Sequence, residues 1–118
     1  MTDMKSTNQK QENTRWLKGL ERVIRENLQS PYLSNAFLAD QLSLSERQFY
    51  RKVKECSGMS PNLYLRQVRL DVAREYLIQK KHKTVSEVAA AVGFLRADYF
   101  SNLFEEHFGK RPTDYLKS

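Results

Sequence analysis

The sequence predicts an all-α fold of about seven helices, built as two helix-turn-helix subdomains joined by a long linker helix. Three observations predict it. Apolar residues recur at helical spacing along most of the chain. Ser, Thr, Gly and Pro stand where helices begin and end. One stretch is written twice, "GMSPNLYL" at 58–65 returning as "GKRPTDYL" at 109–116.

The opening "MTDMKSTNQKQENT" is polar and aperiodic, so residues 1–14 are expected to form a flexible tail or a linker from an upstream sensory domain in a longer chain. From Trp16 the apolar residues Trp16, Leu17, Leu20, Val23, Ile24 and Leu28 share one helical face, and Ser30-Pro31 ends the run. Ser34 suits the cap of a short helix through "NAFLADQL", and "SLS" connects it tightly to "SERQFYRKVKEC". There Ser45 and Gln48 have capping-box spacing, in which two side chains satisfy orphan amides at a helix start. Gly58 suits the left-handed residue after that helix, and Ser60-Pro61 reads as cap and first helical residue of the next.

The linker helix is expected over 61–80, between a first subdomain at 15–60 and a second at 81–118. Its apolar residues lie on more than one side, which implies burial against two neighbours. Thr84 and Glu87 repeat the capping-box spacing ahead of "VSEVAAAV", Gly93-Phe94 makes a turn, and "RADYFSNLFEEHF" forms the next helix. Gly109 stops it and Pro112 starts a short last helix.

The repeat extends beyond its most visible stretch. Phe49, Gly58, Pro61, Tyr64 and Leu65 recur 51 residues later as Phe100, Gly109, Pro112, Tyr115 and Leu116. Before the turn the offset is 50, pairing Ala39 with Ala89, Leu42 with Val92 and Leu44 with Phe94. Each copy is therefore a short helix, a tight turn and a second helix.

Composition narrows the function classes. With 118 residues, 40% hydrophobic and 29% charged, the chain has room for a compact helical unit and none for a large catalytic scaffold. No apolar run approaches a membrane span. The single cysteine, Cys56, cannot form an internal disulfide, which favours a reducing, cytoplasmic setting and a packing role for the thiol. His82 and His107 lack ligand companions at metal spacing, and no phosphate loop, nucleophile elbow or acid pair is present, so neither a metal, a cofactor nor an enzymatic activity is expected. The net charge of +6 is uneven: residues 1–83 carry sixteen Lys and Arg against nine Asp and Glu, whereas 84–118 carry four against five. The basic front suits a polyanionic partner.

With "LADQLSLSERQFYRKVKECSGMSP", "YLRQVRLDVAREYL" and "VSEVAAAVGFLRADYFSNLFEEHFGKRPTDYL" in view, the chain resembles the DNA-binding domain of AraC/XylS-type transcriptional regulators over about residues 16–117. The resemblance rests on two spaced helix-turn-helix patterns, the helix between them and the aromatic tail, all in order. It implies bacterial, nucleoid-associated, sequence-specific binding of double-stranded DNA, with a recognition helix of each subdomain in the major groove. A helix of about 20 residues spans roughly 30 Å and successive groove faces lie roughly 34 Å apart, so adjacent grooves of one duplex are the expected sites.

In the first recognition helix Phe49, Val53 and Cys56 point inward, leaving Arg47, Tyr50, Arg51 and Lys54 outward at i, i+3, i+4 and i+7. The resemblance places base contacts at Arg47, Tyr50 and Arg51, while Ser45 and Lys54 are expected at phosphate. A charged stripe is also the ordinary solvated face of an amphipathic helix, and only the duplicated frame favours the DNA reading.

The second helix turns Phe100, Leu103 and Phe104 inward and Asp98, Ser101, Asn102 and Glu105 outward. Asn102 suits adenine, Asp98 can accept from cytosine N4, Ala97 can touch a thymine methyl, and Ser101 faces the same groove. Glu105 would repel phosphate. The "LRAD" stretch departs from the family, which usually offers Ser or Asp as a cap there, and Arg96 is expected to reach phosphate instead. Arg66, Lys110 and Arg111 are further phosphate candidates, and Arg69 is balanced between phosphate and an ion pair with Asp71 or Glu75. The first subdomain is thus expected to supply most of the affinity. The competing reading is a helical protein-interaction module that contacts RNA polymerase or a partner regulator, favoured by the outward acids of the second copy.

Overall fold

The computed structural model describes residues 2–117, with side chains from residue 8 onward. Seven helices follow one another: α1 (Thr2–Glu26), α2 (Asn35–Gln41), α3 (Glu46–Ser57), α4 (Pro61–Ile78), α5 (Val85–Ala91), α6 (Ala97–Phe108) and α7 (Pro112–Lys117). No strand occurs among the described residues. The chain forms two compact units, one from the segment ending at Asn27 with Tyr32–Arg66, the other from Leu28–Pro31 with the chain from Gln67 onward. The division falls inside α4, between Arg66 and Gln67, where the sequence reading set its boundaries at the two ends of the linker helix.

α1 is longer than the apolar pattern implied. The segment expected to be a polar tail continues the helix, with Gln9 Nε2 donating to Asn13 Oδ1 at 2.9 Å and the Thr14 hydroxyl to the Lys10 carbonyl at 2.9 Å. Lys, Gln and Glu lose little freedom in a helix, and adding a turn to one already nucleated gains a backbone bond for each residue fixed. A segment so polar in sequence carries no apolar period from which a helix could be read.

In the first unit α1 contributes Leu20 and Ile24, α2 Leu38 and Ala39, and α3 Phe49 and Val53, all buried. Trp16 leans on Phe49 with ring centroids 6.5 Å apart. Burying such side chains is worth roughly 1.5–3 kcal/mol each. The helix starts carry the caps their sequences specify: Ser34 Oγ accepts from the Phe37 amide at 3.0 Å, and Ser45 and Gln48 form both arms of a capping box at 3.1 and 2.9 Å.

The second unit is built around aromatic rings. Phe100 and Phe104 are fully buried, Phe94 lies 5.2 Å from Phe100, and Phe104 meets Phe108 at 4.6 Å and Tyr115 at 5.7 Å. Val68, Val72, Ala73 and Leu77 of α4, Val88 and Ala89 of α5 and the residue after it, Val92, are buried in the same unit. Thr84 Oγ1 caps α5 by accepting from the Glu87 amide at 3.1 Å, but the Glu87 carboxylate takes the amide of Lys83, one residue before the cap. Only half of the expected box forms.

The repeated Gly-x-x-Pro-x-x-Tyr is helix punctuation in both units. Gly58 and Gly109 take left-handed φ values of +76° and +75°, and their amides close the last turns of α3 and α6. Pro61 and Pro112 are buried first residues of the following helices. Tyr64 then donates its hydroxyl to the Leu17 carbonyl at 3.3 Å, while Tyr115 packs on Phe104.

Arg69 makes a contact that its sequence neighbours did not suggest. Its Nη1 donates to the carbonyls of Leu28 at 3.1 Å and Val92 at 2.6 Å, and burial pulls its pKa below the ordinary arginine value. Val92 is the C-cap of α5, so the guanidinium satisfies a carbonyl that the helix leaves without an intrahelical partner. Gly93 makes room for it. A Cβ on this residue, whose φ is +90°, would lie 1.6 Å from Arg69 Nη1 and 2.5 Å from the Leu28 carbonyl oxygen.

Gly93→Ala is therefore expected to lower the unfolding free energy by at least about 3 kcal/mol, combining left-handed strain with a clash that backbone cannot relieve. Gly19→Ala, inside α1 with nothing within 4 Å of the added Cβ, is expected to raise it by about 0.5–1 kcal/mol. Urea unfolding of the two variants beside the parent checks both signs.

Candidate nucleic-acid interface

α3 is held from behind. Phe49 and Val53 bury its inner face and Cys56 is half-buried, its thiol pKa raised chiefly by burial. With 3.6 residues per turn this leaves Arg47, Tyr50, Arg51 and Lys54 on the opposite face, and all four are exposed. Among the described residues no carboxylate pairs with the side chains of Arg47, Arg51 or Lys54. Lys52, off this stripe, sits 5.1 Å from the Trp16 ring centroid. Ser45 spends its lone pair on the Gln48 amide, which leaves its hydroxyl proton for an outside acceptor. The stripe can therefore present three unneutralised cations, a phenol and a hydroxyl to a polyanion.

α6 has the same frame and another chemistry. Phe100 and Phe104 face inward, Asp98, Asn102 and Glu105 are exposed, and Ala97 and Ser101 are half-exposed. The outward acids are not bare. Arg96 donates from Nε to Asp98 Oδ1 at 3.2 Å and from Nη2 to Asp98 Oδ2 at 2.7 Å. Arg111 donates from Nε to Glu105 at 2.9 Å. An open groove runs between them, lined by Asp98, Ser101, Asn102, Glu105, Arg111 and Thr113. The repulsion expected from Glu105 is offset by Arg111, and neither acid stands as an isolated negative charge.

These pairs involve several of the residues singled out from the sequence. Asp98, expected to accept from cytosine, has both carboxylate oxygens engaged by Arg96. The amide of Arg111, expected to help hold a phosphate, donates to Asp114 Oδ2 at 3.1 Å, and its side chain is committed to Glu105. Lys110 places its ammonium 4.8 Å from the Tyr115 ring centroid and remains exposed. Arg66 is half-buried on α4. Sequence reasoning missed the two Arg–carboxylate pairs because each reaches across a helix end, outside the i,i+3 and i,i+4 spacings by which surface pairs are recognised.

The two helix starts also differ. Ser45 closes a capping box, whereas Arg96 occupies the N-cap of α6 with extended backbone and no side-chain cap bond. The residue before it, Leu95, is a fully exposed leucine, and Tyr99 is about half exposed. Among the described residues no group of three or more His, Cys, Asp or Glu side chains could hold a metal ion, and no helix is long and apolar enough to cross a membrane.

Residues 38–118 match a family described as a helix-turn-helix domain. The chain is similar to the HTH-type transcriptional activator RhaR of Pectobacterium atrosepticum, 38% identical over 96 residues that make up 81% of this chain and 33% of the activator. It is also similar to the activator RhaS of Escherichia coli, 38% identical over 77 residues, 65% of this chain and 27% of that protein. The chain thus spans a third or less of these relatives. Among solved structures, an AraC-type transcriptional regulator from Chromobacterium violaceum superposes with a TM-score of 0.75 at 28% identity, covering 83% of this chain and 86% of that one. The DNA-binding domain of the global transcriptional factor AdpA, solved in complex with a target DNA, gives 0.73 at 25% identity, over 86% and 89%.

The Asp98 carboxyl is held below the usual aspartate range, first by its hydrogen bond from Arg96 and then by the Tyr99 amide. Because the folded pKa is depressed, the pair's contribution is present above the unfolded pKa and disappears as pH falls through the folded one. In an NMR titration Asp98 is expected to protonate below the ordinary range, and in Arg96→Ala to move back towards it. An unchanged midpoint would show that the pair does not form in solution.

Proposed function

The chain belongs to the AraC-type helix-turn-helix family, and on that premise we propose that it is a sequence-specific, double-stranded DNA-binding module that regulates transcription. The observation that supports this best is the outward face of α3, where Arg47, Arg51 and Lys54 stand exposed beside Tyr50 and, among the described residues, no carboxylate pairs with them. A solvated helix face gains from interspersed acids. A face that meets phosphate and base edges gains from their absence.

In this reading Arg47 and Arg51 fork onto guanine O6 and N7, Tyr50 packs against or bonds a neighbouring base, and Ser45 and Lys54 hold the backbone. The second unit brings Asn102 and Ser101 to the groove for adenine and for adaptable bonding, with Ala97 at a thymine methyl. Arg66 and Lys110 supply phosphate contacts outside the two recognition helices. The first unit provides most of the affinity, because its cations are free while those of α6 are shared with acids. The setting is the bacterial cytoplasm, with an upstream sensory domain and RNA polymerase as further partners, and the action is binding rather than catalysis. The protein-interaction alternative drew on the outward acids of α6, and their pairing with Arg96 and Arg111 removes most of that support.

Selection of bound sequences from a randomised duplex library is expected to enrich two short motifs, one for each recognition helix. Arg51→Ala is expected to cost about 1–3 kcal/mol and to relax specificity at one position of the first motif, and Asn102→Ala to cost less. Affinity is expected to fall steeply with salt, through release of counterions. No enrichment from a folded protein would defeat the proposal, and equal losses for the two variants would defeat the asymmetry.

A further inference from the structure

Arg96 and Asp98 were read from the sequence as a phosphate contact and a base contact. Their geometry favours another division of labour. The carboxylate of Asp98 grips one edge of the guanidinium, Nε and the near side of Nη2, at 3.2 and 2.7 Å. The remaining donors, Nη1 and the far proton of Nη2, make no hydrogen bond among the described residues. Guanidinium is planar, so those two donors form a parallel fork pointing away from the acid.

A phosphate is a poor ligand for this pair. Asp98 offsets the arginine charge at contact distance and would itself repel an approaching anion. The surroundings are poor for phosphate as well, since Leu95 on one side is a fully exposed leucine and Ala97 on the other is an alanine. A base edge has the opposite requirements: two parallel acceptors, no net charge, and apolar neighbours to rest against thymine methyls. The position also fits, because recognition helices of this docking mode contact base edges with their N-terminal residues. The cap supplies a second line of evidence. At the N-cap of α6 an arginine stands where a Ser, Thr, Asn or Asp would stabilise the helix by about 1 kcal/mol, and local rules are broken in this way where function needs the residue.

We infer that Arg96, fixed in orientation by Asp98, is a guanine-reading residue of the second unit, accepted by O6 and N7 of one base in the major groove, with Asp98 as its positioning residue. The inference rests on the DNA-binding reading above.

The test uses the full chain and the duplex enriched by selection, together with a set in which each position of the second motif is replaced by the other three bases and each guanine by 7-deazaguanine. Arg96→Ala is expected to weaken binding to the guanine-containing duplex roughly tenfold to a hundredfold, and to leave binding unchanged once that guanine is replaced. For the parent, 7-deazaguanine at that position alone should weaken binding. Asp98→Ala discriminates most sharply. If Arg96 only touches phosphate, removing the acid strengthens binding to every duplex alike; if Asp98 aims Arg96, preference for that one guanine falls although a negative charge has gone.

Uniform weakening by Arg96→Ala, with a salt slope shallower by about one, overturns the inference, as does a guanine preference untouched by Asp98→Ala. Both side chains are exposed, and thermal unfolding checks that the variants fold. A parent that selects duplexes while Arg96→Ala behaves like it sinks this inference alone, whereas a parent that selects none sinks the DNA-binding reading with it.

Discussion

The turn that leads into α6 depends on one guanidinium. Arg69 sits in the middle of α4 and divides its Nη1 between the carbonyl at the end of α5 and that of Leu28. Two buried carbonyls without donors would each cost roughly 1–3 kcal/mol, so one arginine removes two penalties, and it does so only where a residue without Cβ stands beside it. Gly93 is that residue, and its left-handed φ turns the chain from α5 towards α6. The start of the second recognition helix is thus set by a contact that involves none of its own residues.

The first unit solves the same turn without such a device. Its counterpart of Gly93 is Ser43, exposed and left-handed at φ +59°. A side chain there stands exposed to solvent, at the modest cost of left-handed backbone. The duplication therefore preserves the conformation of the turn while the chemistry around it has diverged, from an open serine to a glycine closed over by arginine.

Divergence is stronger still on the outward faces. α3 begins with a full capping box and shows free cations, so its helix start is secured locally and its surface is left for a polyanion. α6 begins with an uncapped arginine and shows acids, two of which, Asp98 and Glu105, are joined to arginines from outside the helix. Long-range attraction and discrimination between bases call for different surfaces: attraction needs net charge, whereas discrimination needs oriented donors. The outward face of α3 is rich in charge, and that of α6 is rich in oriented, mutually paired donors.

The order of helices, their caps, the two glycine stops and the inward faces follow from the sequence alone, because capping and periodicity are local and Ser45, Gln48, Gly58, Phe49 and Phe100 each carry their own signal. The outward stripe on α3 was legible for the same reason. The helical course of residues 2–14 was not, since a polar stretch carries no apolar period. Nor were the partners of Arg69 and Arg111, whose acceptors lie on other elements, or that of Arg96, two residues away at a spacing outside the usual surface pairs. A sequence determines which side of a helix faces water; only the folded chain decides which charge meets which, because that depends on distances between elements that no spacing along the chain records.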